Sequence, residues 1–399
     1  MKNNLQIEQM NYYPVKIRSN GGGGVYWFLI KLTTNTGVEG WGEIIWNPFN
    51  ADTLGLMCRD FYLAYVKGQN PFDIERIYLK AFSVLCKSHS CLNLMGIISG
   101  FEIALCDIIG KITNQPIYNL FGGKVNQSVR SYTYLYDPKD EIFCEDFWTM
   151  SDACAKRAKE YVDMGFTAIK LDPTAPYLDA YEVHYPLQKT IDHSVETIGK
   201  IRDAVGETVD IIIGTHGQFT AAGAISFAKA MEQFHPLWFE EPTPPGNPAI
   251  LKKVSEATTI PIATGERLAT KFDYTPYIED KSVDIYQIDI SGVGGLFESK
   301  KIASMCEAFH TLITTHFWAG PVNFAAQLQL ASCCPNFLIQ ESIDTMGDFG
   351  GFNKVLDTPF LWKEGDFYVS DKPGLGLDLN ETKLREYVIS SYDEKNVLI

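Results

Sequence analysis

Residues 237–266 read LWFEEPTPPGNPAILKKVSEATTIPIATGE and make up one complete repeat of this chain. A short apolar run ends at Glu240, a helix-length segment follows, and a second apolar run leads to Glu266. Polar residues follow such runs every 23 to 27 residues, at positions 216, 240, 266, 289, 316 and 341. A strand, a helix and two loops need this length, since a (β/α)8 barrel uses roughly 250 residues for eight units. The spacing predicts the α/β class and a TIM-type barrel with these polar side chains at its mouth, where such barrels do chemistry.

The segments on either side of this pattern predict a second, smaller unit. Residues 25–32 and 37–43 alternate like a hairpin, and residues 95–112 have a helical apolar period. Residues 153–164 and 221–234 predict helices of the barrel. We expect an N-terminal α+β capping domain at 1–126, a modified (β/α) barrel at 127–345, and a C-terminal segment at 346–399 that packs back on the cap and completes it.

Composition and charge narrow the function. The 399 residues are 46 % hydrophobic and 21 % charged, as in ordinary globular proteins, and the net charge is −15. Such an acidic chain disfavours nucleic acid and anionic membranes as partners. An anionic substrate would therefore need a local cation or a metal ion.

Cysteine usage and the N-terminus address location. Nine cysteines without a CxxC pair predict reduced, mostly buried thiols. The N-terminus has no apolar signal core, and no apolar run approaches the ~20 residues that span a bilayer. We therefore expect a cytoplasmic protein.

Glu240 and Glu266 are the first candidate site residues. Two carboxylates at the ends of adjacent barrel strands repel each other unless a cation lies between them, and their hard oxygens suit Mg²⁺ or Mn²⁺. We expect one such ion per subunit. The alternative is a salt bridge to a neighbouring cation, for which Arg267 is available.

His316 and Asp289 follow the next two predicted strands. An imidazole whose far nitrogen is held by a carboxylate has a fixed tautomer and raised basicity, which suits proton abstraction near neutral pH. A lone histidine at a strand end is more often structural, but the pairing with Asp289 favours a catalytic base.

Lys170 and Asp172 are two residues apart, so both would point into the barrel mouth. The lysine could neutralise substrate charge or carry a proton. Alternatively, Asp172 starts a turn before Pro173, and Lys170 bridges to Glu240 or Glu341.

Further motifs accompany these positions: GFEIALCDIIGK at 100–111, QPIY at 115–118, FGG at 121–123, WFEEP at 238–242, ATGE at 263–266, QID at 287–289 and GG at 294–295. Together they resemble the enolase superfamily, in its mandelate racemase/muconate lactonizing enzyme-like branch, over nearly the whole chain. Within that branch the pattern is most similar to sugar-acid dehydratases of the mannonate, gluconate and galactarate type.

The resemblance implies roles for these residues. A divalent metal held by Glu240 and Glu266 chelates a small-molecule carboxylate substrate, and His316 with Asp289 removes its α-proton to give an enediolate. Glu341 would hydrogen-bond the substrate carboxylate. Loops at 21–24 and 46–49 would close over the substrate, with Asp172, Trp46 and Trp318 as substrate-binding residues. The family also implies a symmetric homo-oligomer.

Two departures from the family pattern shape the hypothesis. The family usually has two lysines at the second strand, and here the second is replaced by Asp172. This makes a racemase less favoured, because a racemase needs a base on each face of the α-carbon. The aspartate that is the first metal ligand aligns with Gly214. His216, two residues on, resembles the acid that protonates a leaving hydroxyl, or it could take the vacant ligand place and shift affinity toward Mn²⁺ or a later metal. Asp210 would lie ~13 Å deeper in the barrel.

The leading hypothesis is a metal-dependent hydro-lyase, a sugar-acid dehydratase that converts an aldonate or aldarate to a 2-keto-3-deoxy acid. His316 would take the proton from C2, and His216 or Lys170 would act as the acid at C3. One alternative is an epimerase, racemase or cycloisomerase that uses the same enediolate. Another is a non-catalytic barrel whose metal site has decayed at Gly214.

Overall fold

The computed structural model describes residues 4–17, 26–137, 145–175, 177–178, 182–344 and 348–389. The N-terminal unit is a three-stranded antiparallel sheet in the order β1-β2-β3, followed by helices. Its elements are β1 (Ile7–Val15), β2 (Trp27–Thr34), β3 (Glu39–Ile44), α1 (Ala51–Phe61), α2 (Ile74–Val84), α3 (Leu92–Thr113) and α4 (Ile117–Leu120). The predicted hairpin and the helix predicted at 95–112 are confirmed.

The second unit is a closed barrel of eight parallel strands in chain order, because the last strand pairs with the first. The strands are β4 (Val129–Tyr134), β5 (Ala168–Leu171), β6 (Asp210–Ile213), β7 (Trp238–Glu240), β8 (Ile262–Thr264), β9 (Ile285–Ile288), β10 (Leu312–Thr315) and β11 (Phe337–Ser342). The helices are α5 (Ser151–Met164), α6 (Gln188–Val205), α7 (Ala221–Met231), α8 (Pro248–Ser255), α9 (Lys271–Asp280), α10 (Ile290–Val293), α11 (Leu296–Ala308) and α12 (Pro321–Cys333). The predicted fold class is confirmed.

The barrel interior is a packed core. Side chains from seven of the eight barrel strands form one buried cluster of Tyr132, Ala168, Ile212, Trp238, Ala263, Ile285 and Ile339. These packed apolar side chains fill the barrel interior below the mouth. The polar residues of the mouth therefore lie directly above a dry, low-dielectric core. The cysteines among the described residues are free thiols, mostly buried, as predicted.

The C-terminal segment contacts both units. Its strands β12 (Leu361–Lys363) and β13 (Asp366–Tyr368) form a hairpin, and β13 pairs antiparallel with the barrel strand β4. Helix α13 (Glu381–Arg385) and the residues after it lie against the cap, where Lys16 donates its backbone N–H to Tyr387 at 2.9 Å. Lys31 on β2 forms an ion pair with Glu381 at 2.6 Å.

Helix α3 corrects one expectation from the sequence. It has 22 residues and a mean hydropathy of 1.7 over its most apolar window, so by length and composition it could span a membrane. However, 83 % of that window is buried inside the protein. Gly42 on β3 lies directly on it, since a Cβ on Gly42 would be 1.9 Å from the carbonyl oxygen of Gly100. The helix is apolar because it is the core of the cap.

Two buried carboxylates dock the cap on the barrel. Glu43 on β3 accepts backbone N–H groups from Gly320 and Asn323, at 2.5 and 2.9 Å, where α12 begins. Glu102 on α3 accepts those of Leu296 and Phe297, at 2.7 and 3.0 Å, where α11 begins. Helix N-termini favour such negative charge. Because α11 and α12 follow β9 and β10, the cap is fixed on that side of the barrel mouth.

Candidate active site

The structure brings the sequence-predicted polar residues together at the carboxyl ends of the barrel strands. Most of these side chains are nearly inaccessible to solvent, with 1 % of Lys170, 2 % of Glu240 and 3 % of Glu266 exposed. The residues at this mouth are Lys170 on β5, Asp172 just after it, His216 after β6, Glu240 on β7, Glu266 after β8, Asp289 after β9, His316 after β10 and Glu341 on β11. The predicted convergence on one mouth is what the fold produces.

His316 and Asp289 form the predicted pair. The Nδ1 atom of His316 lies 2.7 Å from Oδ2 of Asp289, whose other oxygen accepts the backbone N–H of Ser291 at 2.8 Å. Trp46, from the cap, donates its indole N–H to Oδ2 of the same carboxylate at 3.0 Å. The remaining ring nitrogen of His316 faces Glu266, at 3.7 Å. Asp289 thus fixes the tautomer that leaves Nε2 toward the site.

The charges around His316 determine its protonation. Burial opposes the charged form, but Glu266 and the hydrogen bond to Asp289 outweigh burial and raise the pKa of His316 to about 10. Glu266 responds in the opposite sense: burial disfavours its charge, yet the neighbouring histidines and Lys170 lower its pKa to about 2. A proton therefore resides on the imidazole while Glu266 carries a full negative charge.

Lys170 is the central cation of the mouth. Its ammonium lies 2.5 Å from Oε1 of Glu240 and 3.2 Å from Oε1 of Glu341, and 4.7 Å from the centre of the Tyr134 ring. Burial opposes its charge, but Glu240 and Glu341 outweigh burial and raise the pKa of Lys170. Of the alternatives for this lysine, the bridge to both glutamates is the arrangement in the structure. The second oxygen of Glu341 accepts the backbone N–H of Phe317 at 2.7 Å.

His216 forms a second histidine–carboxylate pair, with Asp172. Its Nδ1 lies 2.7 Å from Oδ2 of Asp172, whose Oδ1 accepts the hydroxyl of Tyr134 at 3.3 Å. Burial opposes protonation of His216, but the charge and hydrogen bond of Asp172 raise its pKa to about 9. The backbone of His216 is left-handed, with φ of 46°, and Gly217 follows in the same region. This left-handed turn is the local conformation in which the imidazole reaches Asp172.

A side chain at position 214 would have to displace the carboxylate of Asp172. A Cβ at this position would lie 2.2 Å from Oδ1 of Asp172 and 3.3 Å from Cε of Lys170. Asp210, four residues back, forms an ion pair with Arg130 at 2.7 Å, at the other end of the strand. The carboxylate of Asp172 therefore lies next to position 214, where the family pattern has its first metal ligand.

The mouth suits a divalent cation by its donor chemistry. Glu240 and Glu266 present buried carboxylate oxygens, the ligand type that Mg²⁺ and Mn²⁺ prefer. Burial raises the pKa of Glu240, Lys170 opposes this, and the charge of Glu266 adds to it, so the two carboxylates repel each other. No three His, Cys, Asp or Glu side chains within the described ranges stand in metal-ligating geometry. Glu240 and Glu266 are therefore the residues that would hold such an ion, and Glu240 is paired with Lys170 in this structure.

Three further residues lie at the site although the sequence did not predict them there. Tyr134 on β4 contacts both Lys170 and Asp172. Trp238 donates its indole N–H to Oε2 of Glu240 at 3.0 Å. Glu241 pairs with Arg267, whose Nη2 is 2.6 Å from its carboxylate. The inward alternation of strand β4 could have revealed Tyr134, but the long connection to β5 breaks the regular spacing.

The remaining predicted residues are placed as follows. Trp46 has a left-handed backbone, with φ of 63°, and its ring centre is 5.8 Å from that of His316. Trp318 is half-buried in the segment after β10, two residues from His316. The loop expected to close over the substrate at 21–24 lies outside the described residues.

Comparisons with known proteins agree with this architecture. Residues 5–122 match the mandelate racemase/muconate lactonizing enzyme N-terminal domain, and residues 153–383 match the enolase C-terminal domain-like family. The D-xylonate dehydratase of Haloferax volcanii is 31 % identical over 381 residues, which cover 94 % of this chain and 89 % of that protein. The D-gluconate/D-galactonate dehydratase of Picrophilus torridus is 32 % identical over 370 residues, covering 92 % and 90 %.

A solved structure gives the same picture. The mandelate racemase/muconate lactonizing enzyme from a Sulfitobacter species superposes with a TM-score of 0.91 at 37 % identity. The match covers 98 % of this chain and 97 % of that one, so cap, barrel and C-terminal segment are all shared.

Proposed function

This chain is an enzyme of the enolase superfamily, in its mandelate racemase/muconate lactonizing enzyme branch, and from that premise we propose that it is a metal-dependent sugar-acid dehydratase. The similar dehydratases act, by their names, on D-xylonate and on D-gluconate or D-galactonate. The proposed substrate is accordingly an aldonate, and the product is the 2-keto-3-deoxy acid.

One observation carries the proposal: two histidines, each held by a carboxylate at 2.7 Å, share the barrel mouth. Loss of water across C2 and C3 needs a base for the C2 proton and an acid for the C3 hydroxyl. His316 supplies the base and His216 the acid. The C2–H and C3–O bonds break, a C2=C3 enol forms, and its ketonisation adds one proton at C3, so that the net change is loss of one water.

The chain's own charges favour the protonated form of both histidines, which supports the acid role of His216. Asp172 raises the pKa of His216 to about 9, so His216 holds the proton it must give at neutral pH. His316 has its pKa raised chiefly by Glu266, a proposed metal ligand, so a cation there would act against the charge that keeps His316 protonated. Members of the superfamily generally bind Mg²⁺. A divalent cation held by Glu240 and Glu266 would supply the electrophile that stabilises negative charge on the substrate carboxylate.

Lys170 and Glu341 are suited to positioning the substrate. A carboxylate substrate near Glu341 would be repelled without a compensating charge, and the ammonium of Lys170 at 3.2 Å provides it. Because Lys170 stays protonated between two glutamates, it is a poor second base. This supports elimination over racemisation, which needs a competent base on each face of the α-carbon.

The test is product formation by the purified protein with Mg²⁺ or Mn²⁺ on a panel of D-xylonate, D-gluconate, D-galactonate and their C2 and C3 epimers. We expect 2-keto acid from at least one substrate, loss of the activity after chelation, and its recovery with added metal. H316N serves as the inactive control. Absence of 2-keto acid across the panel would contradict the proposal, and solvent deuterium at C2 without loss of water would favour the epimerase instead.

A further inference from the structure

We propose that Asp172 supplies the carboxylate ligand that position 214 lacks, so the third metal ligand comes from the end of β5 instead of the end of β6. The inference rests on the proposed function, because it concerns the cation assigned to Glu240 and Glu266. It replaces both roles considered from sequence alone, substrate contact for Asp172 and metal ligation for His216.

Strand pairing places the two positions side by side. Leu171 on β5 is in register with Ile213 on β6, and the backbone N–H of Gly214 donates to Leu171 at 3.0 Å. The next inward residues are therefore Asp172 and Gly214, on neighbouring strands at the same level of the mouth. A carboxylate at position 172 instead of 214 is therefore attached to the neighbouring strand at the same level.

The two positions also exclude each other sterically. The 2.2 Å between Oδ1 of Asp172 and a Cβ at 214 is about the separation between an aspartate's Cβ and its own carboxylate oxygens. Asp172 thus brings an oxygen within the reach that an aspartate at 214 would have. A side chain at 214 would have to displace this oxygen, which gives a physical reason for glycine there.

Asp172 faces the same charge centre as the other carboxylates. It is 3 % exposed, and its charge acts on the ammonium of Lys170 together with the charges of Glu240, Glu341 and Glu266. The carboxylate of Asp172 therefore acts on the same cationic group as the two proposed metal ligands.

The two oxygens of Asp172 have separate partners, which bears on the choice of ligand. Oδ2 holds Nδ1 of His216, whereas Oδ1 is directed toward Gly214 and the hydroxyl of Tyr134. Oδ1 can reach a metal while Oδ2 keeps its histidine. The competing arrangement has His216 as ligand and Asp172 as its outer support, a common pattern in histidine metal sites. Three carboxylates favour hard Mg²⁺ or Mn²⁺, and an imidazole ligand would favour later metals.

The experiment measures metal affinity of the full-length protein, separately from turnover. Mn²⁺ binding is followed by loss of the free-ion electron paramagnetic resonance signal, and Mg²⁺ binding by calorimetry. We expect D172A and D172N to weaken Mn²⁺ binding by at least about 100-fold, beyond the 10- to 100-fold typical of outer supports. H216N should weaken it less than D172A does.

Transfer of the carboxylate is the decisive variant. D172A/G214D lacks the Asp172–His216 contact but places an aspartate at 214, and we expect it to regain Mn²⁺ affinity to within about tenfold of the wild type. D172A/G214N has a side chain of the same shape at 214 but no charge. It should bind Mn²⁺ as weakly as D172A does. G214A alone should weaken binding, because its Cβ displaces Oδ1.

Three results would overturn the assignment: wild-type affinity in D172A, no gain in a folded D172A/G214D over D172A, or a larger loss in H216N than in D172A. If circular dichroism shows that the double variant does not fold, the assignment is decided by whether D172N or H216N loses more Mn²⁺ affinity. A wild-type protein that binds neither ion contradicts the metal dependence of the proposed function itself. Binding that survives D172A contradicts only the ligand assignment.

Discussion

The barrel mouth has two sides that carry the same motif with different support. On the dyad side, formed by Asp289 and His316 after β9 and β10, Trp46 of the cap bonds the aspartate. On the exchanged side, formed by Asp172, Gly214 and His216 after β5 and β6, the bond to the aspartate comes from the barrel itself, from Tyr134. Both histidine–aspartate distances are 2.7 Å.

The difference indicates that the dyad side is constrained by its contacts with the cap, whereas the exchanged side is free of that constraint. The dyad side is part of the cap interface, since Glu43 and Glu102 dock the cap on the helices that follow β9 and β10. A change there disturbs contacts between two units. On the exchanged side, a side chain at position 214 would occupy the place of the Asp172 carboxylate, so we expect a change at one position to be compensated at its neighbour.

The largest expected effect separates the two histidines by their chemistry. H316N should lower kcat by about 10²- to 10⁴-fold, because it removes the general base, and it should abolish solvent deuterium exchange at C2 of the substrate. H216N should lower dehydration by a similar factor but retain exchange at C2, because the base is intact. Mass spectrometry of recovered substrate and a 2-keto acid assay measure both outcomes.

Each variant is the control for the other, since both replace an imidazole that is held by an aspartate. Equal loss of exchange in H216N and H316N would mean that the two sides do not divide base and acid. Thermal unfolding of both variants should match the wild type within a few degrees, to exclude misfolding.

W46F tests whether the dyad side depends on the cap. The indole N–H bonds a charged carboxylate, a contact worth about 1.5–3 kcal/mol, so its loss should lower kcat by about 10- to 100-fold. Because Asp289 would then hold His316 less firmly, the kcat–pH profile should move as well as the rate. A lower kcat with an unmoved pH profile, or an effect on KM alone, would assign Trp46 to substrate contact instead.

Y134F is the matched variant on the exchanged side and should have the smaller effect. The hydroxyl is 3.3 Å from Asp172, a long contact, and the aspartate keeps its closer bond to His216. We expect a loss of about two- to tenfold in kcat, in the range of an ordinary hydrogen bond. A loss greater than that of W46F would reverse the ranking of the two supports.

The sequence predicted the barrel and the dyad side well because both depend on local patterns. Apolar runs that end in Glu240, Glu266, Asp289 and His316 follow from strand geometry, and the regular spacing follows from the repeat. The starts of two barrel helices were predicted similarly well, since α5 and α7 begin within two residues of the predicted positions.

The exchanged side was not predictable in the same way. That Asp172 bonds His216 depends on residues 44 positions apart and on a left-handed turn at His216, which no local period encodes. The exclusion between Asp172 and a side chain at Gly214 is visible only once β5 and β6 are in register. The length and apolarity of α3 also exceed what the sequence predicted, because Glu102 and Asp107 interrupt its apolar run and are themselves buried.

The smallest effect on turnover is expected at Glu43, which nonetheless governs how the cap is held. Burial raises the pKa of Glu43 from 4.5 to about 7, against backbone N–H groups of Asn323 and Gly320 that lower it. Between these values the unfolded chain has lost the proton that the folded chain retains, so stability falls as pH rises from about 4.5 to about 7. The loss is about 3 kcal/mol and levels off above pH 7.

E43Q cannot titrate, so the unfolding free energy of the wild type minus that of E43Q should decline through this pH window, as measured by denaturant unfolding. Glu102, whose pKa burial likewise raises to about 7, should behave the same way in E102Q. A difference that stays constant with pH would mean that Glu43 is ionised throughout and that the helix N-terminus outweighs burial. In either case turnover of E43Q on a good substrate should stay within about twofold, because Glu43 acts on cap docking and leaves both histidine–aspartate pairs in place.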